Sequence, residues 1–134
     1  MNAGSAFFDT NVILYLISED AEKADIAERL IAQGGTVSVQ VLNEFAAVCL
    51  RKSLLEAGEI RHMLATVRQI AAVVPVDIST HDRALEIAAA GNYAFYDCLI
   101  IAAASLASCQ ILYSEDLQDG HKLDGLRIVN PFKA

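Results

Sequence analysis

The segment Ala6-Phe7-Phe8-Asp9-Thr10-Asn11-Val12-Ile13-Leu14-Tyr15-Leu16-Ile17 decides how this chain folds. Ala6-Phe7-Phe8 is a short apolar run of strand type. The run 12–17 is apolar without a clean period. Asp9 and Thr10 just ahead of it are residue types that cap helix N-termini, which assigns 10–17 to a helix. A strand that passes straight into a helix, with an acid at the junction, is the opening of an α/β unit.

The same alternation continues downstream. A helix is predicted over 21–33, with Ala24, Ala27, Leu30 and Ile31 on one side and Gly34-Gly35 as its stop. Thr36-Val37-Ser38-Val39 is a strand and 40–52 a helix whose buried face carries Val41, Phe45, Val48 and Cys49, with Glu44 at the edge of that face. After a helix over 55–71, the strand 72–78 is interrupted by Pro75, which marks a sheet edge. Ser79-Thr80-His81-Asp82 opens a helix that runs through Ala90 and stops at Gly91-Asn92. The helix 96–108 is apolar nearly all round and must be buried on most sides. Strand 110–113, a loop over 114–124 with Asp119-Gly120 and Asp124-Gly125 turns, and strand 126–130 complete the chain. Strands alternating with helices give an α/β sandwich with a largely parallel sheet, in which function gathers at the carboxyl ends of the strands.

With 134 residues, 54% of them hydrophobic, the chain is expected to form a single domain over 1–134 with a substantial core. Its longest apolar stretch, from Cys98 to Ala107, is too short for a membrane span, which needs about 20 residues. The start Met1-Asn2-Ala3-Gly4-Ser5 lacks the basic and apolar regions of a signal peptide, so a soluble cytoplasmic protein is expected. Cys49, Cys98 and Cys109 are odd in number and lack the close spacing of a zinc knuckle; they are read as reduced, buried thiols. The net charge of −7 and the scattered Lys and Arg leave no basic stripe for gripping nucleic acid, so weak substrate binding or help from a second subunit follows.

Four acids stand where the predicted elements deliver them to one edge of the sheet: Asp9, Glu44, Asp97 and Asp116. Each has a simpler role available: a helix cap for Asp9 and Asp97, a solvated position or a pairing with Arg51 for Glu44, a turn for Asp116. Taken together they repel one another unless a cation sits among them. Oxygen-only clusters suit Mg²⁺ or Mn²⁺, and acids holding such an ion are a common device for cutting phosphodiesters. A metal-dependent nuclease is therefore the first hypothesis. It needs no histidine, and His62, His81 and His121 are assigned to the surface.

Four segments, Phe8-Asp9-Thr10-Asn11-Val12, Asn43-Glu44, Tyr96-Asp97-Cys98-Leu99-Ile100-Ile101-Ala102-Ala103-Ala104 and Tyr113-Ser114-Glu115-Asp116-Leu117, occur in the order and spacing of one family. In them the chain resembles PIN-domain ribonucleases, of the VapC type found as toxins of toxin–antitoxin pairs. The resemblance implies a PIN-like three-layer sandwich with a central, mostly parallel sheet flanked by helices. It implies an Mg²⁺- or Mn²⁺-dependent endoribonuclease, catalytic and metal-holding through Asp9, Glu44, Asp97 and Asp116, with Thr10, Asn11 and Ser114 ordering metal-bound waters. Its implied partners are an RNA substrate, a cognate antitoxin protein and a second copy of the chain, with no membrane. Many relatives carry a further Asp where this chain has Gln118, and Asp119 next to it is assigned to the Asp-Gly turn.

Two rivals remain. A phosphate-accepting enzyme of the haloacid-dehalogenase pattern wants an acid where Asn11 stands. A catalytically silent PIN-like module for binding protein or RNA keeps the fold without the chemistry. Apolar residues in excess, among them Leu14, Tyr15, Ile17, Leu54, Leu55, Tyr93 and Phe95, supply material for a partner patch.

Overall fold

β1 (Ala6–Phe8) runs into α1 (Thr10–Leu14), which tightens into a 3-10 turn at Tyr15–Ile17. Then come α2 (Ala21–Ala32), β2 (Gly35–Ser38), α3 (Val39–Arg51), α4 (Ala57–Ile70), β3 (Ala71–Val74), α5 (Ile78–Ala88), α6 (Phe95–Leu106), β4 (Ile111–Tyr113), β5 (Lys122–Leu123) and β6 (Leu126–Val129). The computed structural model describes residues 5–133; the start Met1-Asn2-Ala3-Gly4, where no signal sequence is expected, lies outside the described residues.

The strands form one sheet in the order β3-β2-β1-β4-β6-β5. All neighbours are parallel except β5, which returns antiparallel along β6 through the turn at Asp124 and Gly125. Phe7 and Phe8 are both fully buried although successive strand residues face opposite ways, so both faces of the sheet are covered. The direction of the connections says by what. From β1 to β2 to β3 the chain steps one way, and from β3 it crosses back to β4 on the far side of β1. Right-handed crossovers therefore put α1–α4 on one face and α5 and α6 on the other. Contacts of α1 with α3 and α2 with α4, and the packing of α5 on α6, fit this division into three layers.

That change of direction makes the β1–β4 boundary a switch point, where a crevice opens beyond the carboxyl ends of the two strands. Phe8 pairs with Tyr113 in this register, which seats Asp9 beside Ser114 at the crevice. Close approach on the other side of β1 depends on Gly35: a Cβ there would lie 2.6 Å from a Phe8 ring carbon and 2.9 Å from the Ala6 carbonyl oxygen.

Several boundaries differ from the sequence reading for identifiable reasons. The Ser38 side chain accepts from Val41 N–H, so Val39 belongs to α3 rather than to the preceding strand. Asp77 accepts from the Ser79 and Thr80 amides and starts α5 earlier than expected, which with Pro75 leaves β3 only to Val74. β3 is the sheet edge that Pro75 announced. The expected loop 114–124 contains β5. Among the described residues no helix is long and apolar enough to cross a membrane, and all three cysteines are buried thiols outside any disulfide.

Candidate active site

Asp9 follows β1 directly at the β1–β4 switch point. It is buried, its amide donates to the Tyr113 carbonyl across the sheet (3.0 Å), and its side chain caps α1 by accepting from Thr10 N–H at 2.7 Å. The other carboxylate oxygen accepts from Ser114 Oγ at 2.7 Å and from Asn11 Nδ2 at 3.3 Å. Capping α1 and lying within reach of the Glu44 and Asp116 charges are thus compatible in one residue. Ser114 is itself buried and accepts from the Asp116 and Leu117 amides, which shapes the loop after β4. Asn11 bridges the two loops: its amide nitrogen also reaches Asp116 Oδ2 (3.3 Å), and its oxygen accepts from Glu115 N–H (3.0 Å).

Glu44 enters from α3. Thr10 Oγ1 donates to it at 2.5 Å and Gln40 Nε2 at 2.9 Å, so it is not the partner of Arg51. Gln40, missed in the sequence, also donates to the Tyr96 carbonyl (3.0 Å) and so ties α3 to the start of α6. Its position four residues before Glu44, one helical turn, is the signal that would have found it. Asp97 sits in the first turn of α6, whose N-cap is Ala94, and so is not a cap. It is half-buried, and its carboxylate accepts no hydrogen bond from the described residues.

The electrostatics join the four acids. Burial pushes the Asp9 carboxyl up to about 6, against the pull of its bonds from Ser114 and Thr10, and the charges of Glu44 and Asp116 push the same way. Burial also raises Asp97, again helped by Glu44 and Asp116. The charges that act most on these two carboxyls, those of Glu44 and Asp116, are negative. The donor set is hard oxygen throughout, which fits Mg²⁺ or Mn²⁺. Among the described residues no three acids, histidines or cysteines are drawn in around a metal position. Asp9 and Glu44 accept from hydroxyl and amide donors.

Other candidates fall outside this group. Asp119 accepts from Asn130 N–H (2.8 Å) and Lys133 Nζ (3.4 Å), which pins the turn to the C-terminal segment. Glu115 points away to Lys23 (2.6 Å) and Tyr15 (2.5 Å). His62 and His81 are exposed, while His121 is engaged by Tyr93.

The PIN domain family model matches residues 6–120, which span the elements from β1 to the loop that carries Asp116. The chain belongs to the PIN domain family. Solved structures share this PIN fold along their full length. A toxin–antitoxin complex from Klebsiella pneumoniae is 18% identical with a TM-score of 0.73, covering 97% of this chain and 100% of that one. VapC20 of Mycobacterium tuberculosis, described as a sarcin-ricin loop cleaving toxin, is 21% identical at a TM-score of 0.67, over 92% and 99%. FitAcB from Neisseria gonorrhoeae is 19% identical at 0.63, over 96% and 99%. No curated protein matches the chain in sequence.

Proposed function

We propose that this PIN domain is a metal-dependent endoribonuclease, the toxin of a toxin–antitoxin pair acting in the cytoplasm. The observation that carries this reading is that the negative charges of Glu44 and Asp116 both act on Asp9 and on Asp97, which gathers four hard oxygen donors at the switch point. Asp9, Asp97 and Asp116, with Glu44, would hold one Mg²⁺ or Mn²⁺. When bound, the ion supplies charge stabilisation at the phosphate and acidifies a water. The chain's own part is positioning. Ser114 and Thr10 hold Asp9 in one rotamer, and Asn11 keeps the Asp116 loop in register with β1. Glu44, fixed by Thr10 and Gln40, orients the attacking water and takes its proton on a carboxylate oxygen. RNA as substrate is supported by the similarity to M. tuberculosis VapC20, a sarcin-ricin loop cleaving toxin.

Two surfaces support the partners. A groove lined by Leu14, Tyr15, Ile17, Leu54 and Leu55 runs up to Asn11 and Glu115 beside the acids, a place for an antitoxin segment whose Arg or Lys reaches the carboxylates. A second hollow exposes Val39, Val76 and Tyr96 next to Glu44, a face suited to a second copy of the chain.

The purified protein is expected to cleave single-stranded RNA only with added Mg²⁺ or Mn²⁺; cleavage that continues in EDTA removes the metal from the mechanism, and inactivity on every RNA class favours the silent module. In bacteria, expression of this chain should slow growth, Asp9→Ala at equal protein level should not, and co-expression of the neighbouring small gene should restore growth. Equal growth with wild type and Asp9→Ala rejects the toxin reading.

A further inference from the structure

Asp97 and Asp116 reach the crevice on different segments, the start of α6 and the loop after β4, and neither acid bonds the other's segment. What joins those segments is Tyr93. Its phenol oxygen lies 2.6 Å from His121 Nδ1, a hydrogen bond, and the two rings stack at 5.6 Å with planes 30° apart. Both ends of this link are anchored close to an acid. The Tyr93 carbonyl accepts from Cys98 Sγ (3.7 Å) in the first turn of α6, beside Asp97. His121 donates its amide to the Gln118 carbonyl (3.1 Å), two residues past Asp116, and its own carbonyl accepts from Ile128 N–H of β6 (2.9 Å). We propose that Tyr93 and His121 are positioning residues, a clamp that fixes the spacing of Asp97 and Asp116 and so sets how tightly the carboxylates hold a divalent cation; the proposal rests on the metal-dependent reading above.

The clamp suits this task chemically. Burial raises the Tyr93 hydroxyl above its ordinary value and outweighs a hydrogen bond from the Gln118 backbone that pulls the other way, with the nearby Asp97 charge adding to the rise; the hydroxyl stays protonated at neutral pH, and the Gln118 contact lies on the same Asp116 segment that His121 ties down. The ties that Asn11, Tyr15 and Lys23 make to the 114–121 segment all hold its Glu115 and Asp116 end to the first two helices, so the Tyr93–His121 pair is the link that joins this segment to the start of α6. A cation held by acids from several segments is sensitive to small changes in their separation; loss of a hydrogen bond made directly to a metal ligand weakens metal binding about 10- to 100-fold, and a bond one step removed from the ligands is expected at the lower end of that range.

The test is Mn²⁺ binding to the full chain without RNA, followed by electron paramagnetic resonance, beside thermal melting in EDTA. Tyr93→Phe keeps the ring and loses the oxygen; His121→Phe keeps the stack and loses Nδ1; His121→Asn restores a polar atom near the place of Nδ1. The first two should each weaken Mn²⁺ binding about tenfold. The double variant should be no weaker than either, His121→Asn should recover most of the affinity, and the melting point in EDTA should stay within a few degrees. Unchanged Mn²⁺ affinity in Tyr93→Phe and His121→Phe, or a loss that tracks a falling melting point, overturns the clamp alone. A wild type that binds no Mn²⁺, or one that binds it no better than Asp97→Asn, overturns the metal reading and the clamp with it.

Discussion

Asp9 and Glu115 stand at the same edge of the sheet and meet opposite environments. Asp9 is bonded only by neutral donors, faces Glu44 and Asp116, and has its carboxyl pushed up to about 6. Glu115 is also disfavoured by partial burial, but bonds from Lys23 and Tyr15 outweigh this and hold its carboxyl below the ordinary value. Lys23 lies over the Tyr15 ring, 4.9 Å from its centre, and Tyr15 packs on Phe132, so the second region is a closed, charge-balanced cluster. The first region is negative and unbalanced. An acid with its own Lys needs nothing further, whereas a set of acids without one has affinity for a cation, and the two regions divide along that line.

The largest effect separating them is on catalysis. Asp97→Asn removes one charge from the unbalanced region while keeping its shape, and RNA cleavage at fixed Mg²⁺ should fall by orders of magnitude. The melting temperature should hold or rise, because repulsion from Glu44 and Asp116 is relieved. A large loss of stability with cleavage intact would reverse the assignment and make Asp97 a structural residue.

A smaller effect is the pH dependence of stability, where the two regions carry opposite signs. Asp9 keeps its proton to about 6 when folded but to 3.8 when unfolded, so its contribution is full below 3.8 and is lost as pH rises through 6. The amount is about 3 kcal/mol at most, reduced by whatever relaxation the site allows. Glu115 works the other way: its contribution is present above its ordinary value of 4.5 and is lost as pH falls below it. Denaturation in EDTA should therefore show stability falling between about pH 4 and 6 in wild type and much less in Asp9→Asn. Added Mg²⁺ should flatten or invert the wild-type slope. Parallel slopes in wild type and Asp9→Asn would mean that Asp9 ionises freely and that the crevice imposes no strain on its charge.

Much of this contrast was legible before the fold was known. Asp9 and Ser114 directly follow strands, Pro75 marks an edge, and the apolar helix around Cys98 must be buried; each is a local fact carried by neighbouring residues. The strand and helix ends that shifted were set by side-chain caps at Ser38 and Asp77, where several nearby hydroxyls and acids competed for the same role. β5 was hidden because two residues, Lys122 and Leu123, are too few to show a period. The pairings of Lys23 with Glu115 and of Tyr93 with His121 were out of reach for another reason. They join residues 92 and 28 positions apart, and no local pattern specifies which of many polar residues will meet once the layers pack.

The smallest expected effect is the sharpest control on the comparison. Glu115→Gln removes the charge next in sequence to Asp116 and leaves an acceptor for Lys23 and Tyr15. Because this pair is partly exposed and screened, the loss should be small, a melting shift of no more than a few degrees that shrinks further in high salt. Cleavage at saturating Mg²⁺ should stay within a few-fold of wild type, since the Glu115 amide still donates to Asn11 and the loop keeps its register. Were Glu115→Gln to abolish cleavage as Asp97→Asn does, the charge-balanced cluster would have to be counted as part of the active site, and the boundary drawn between the two regions would move to include Lys23.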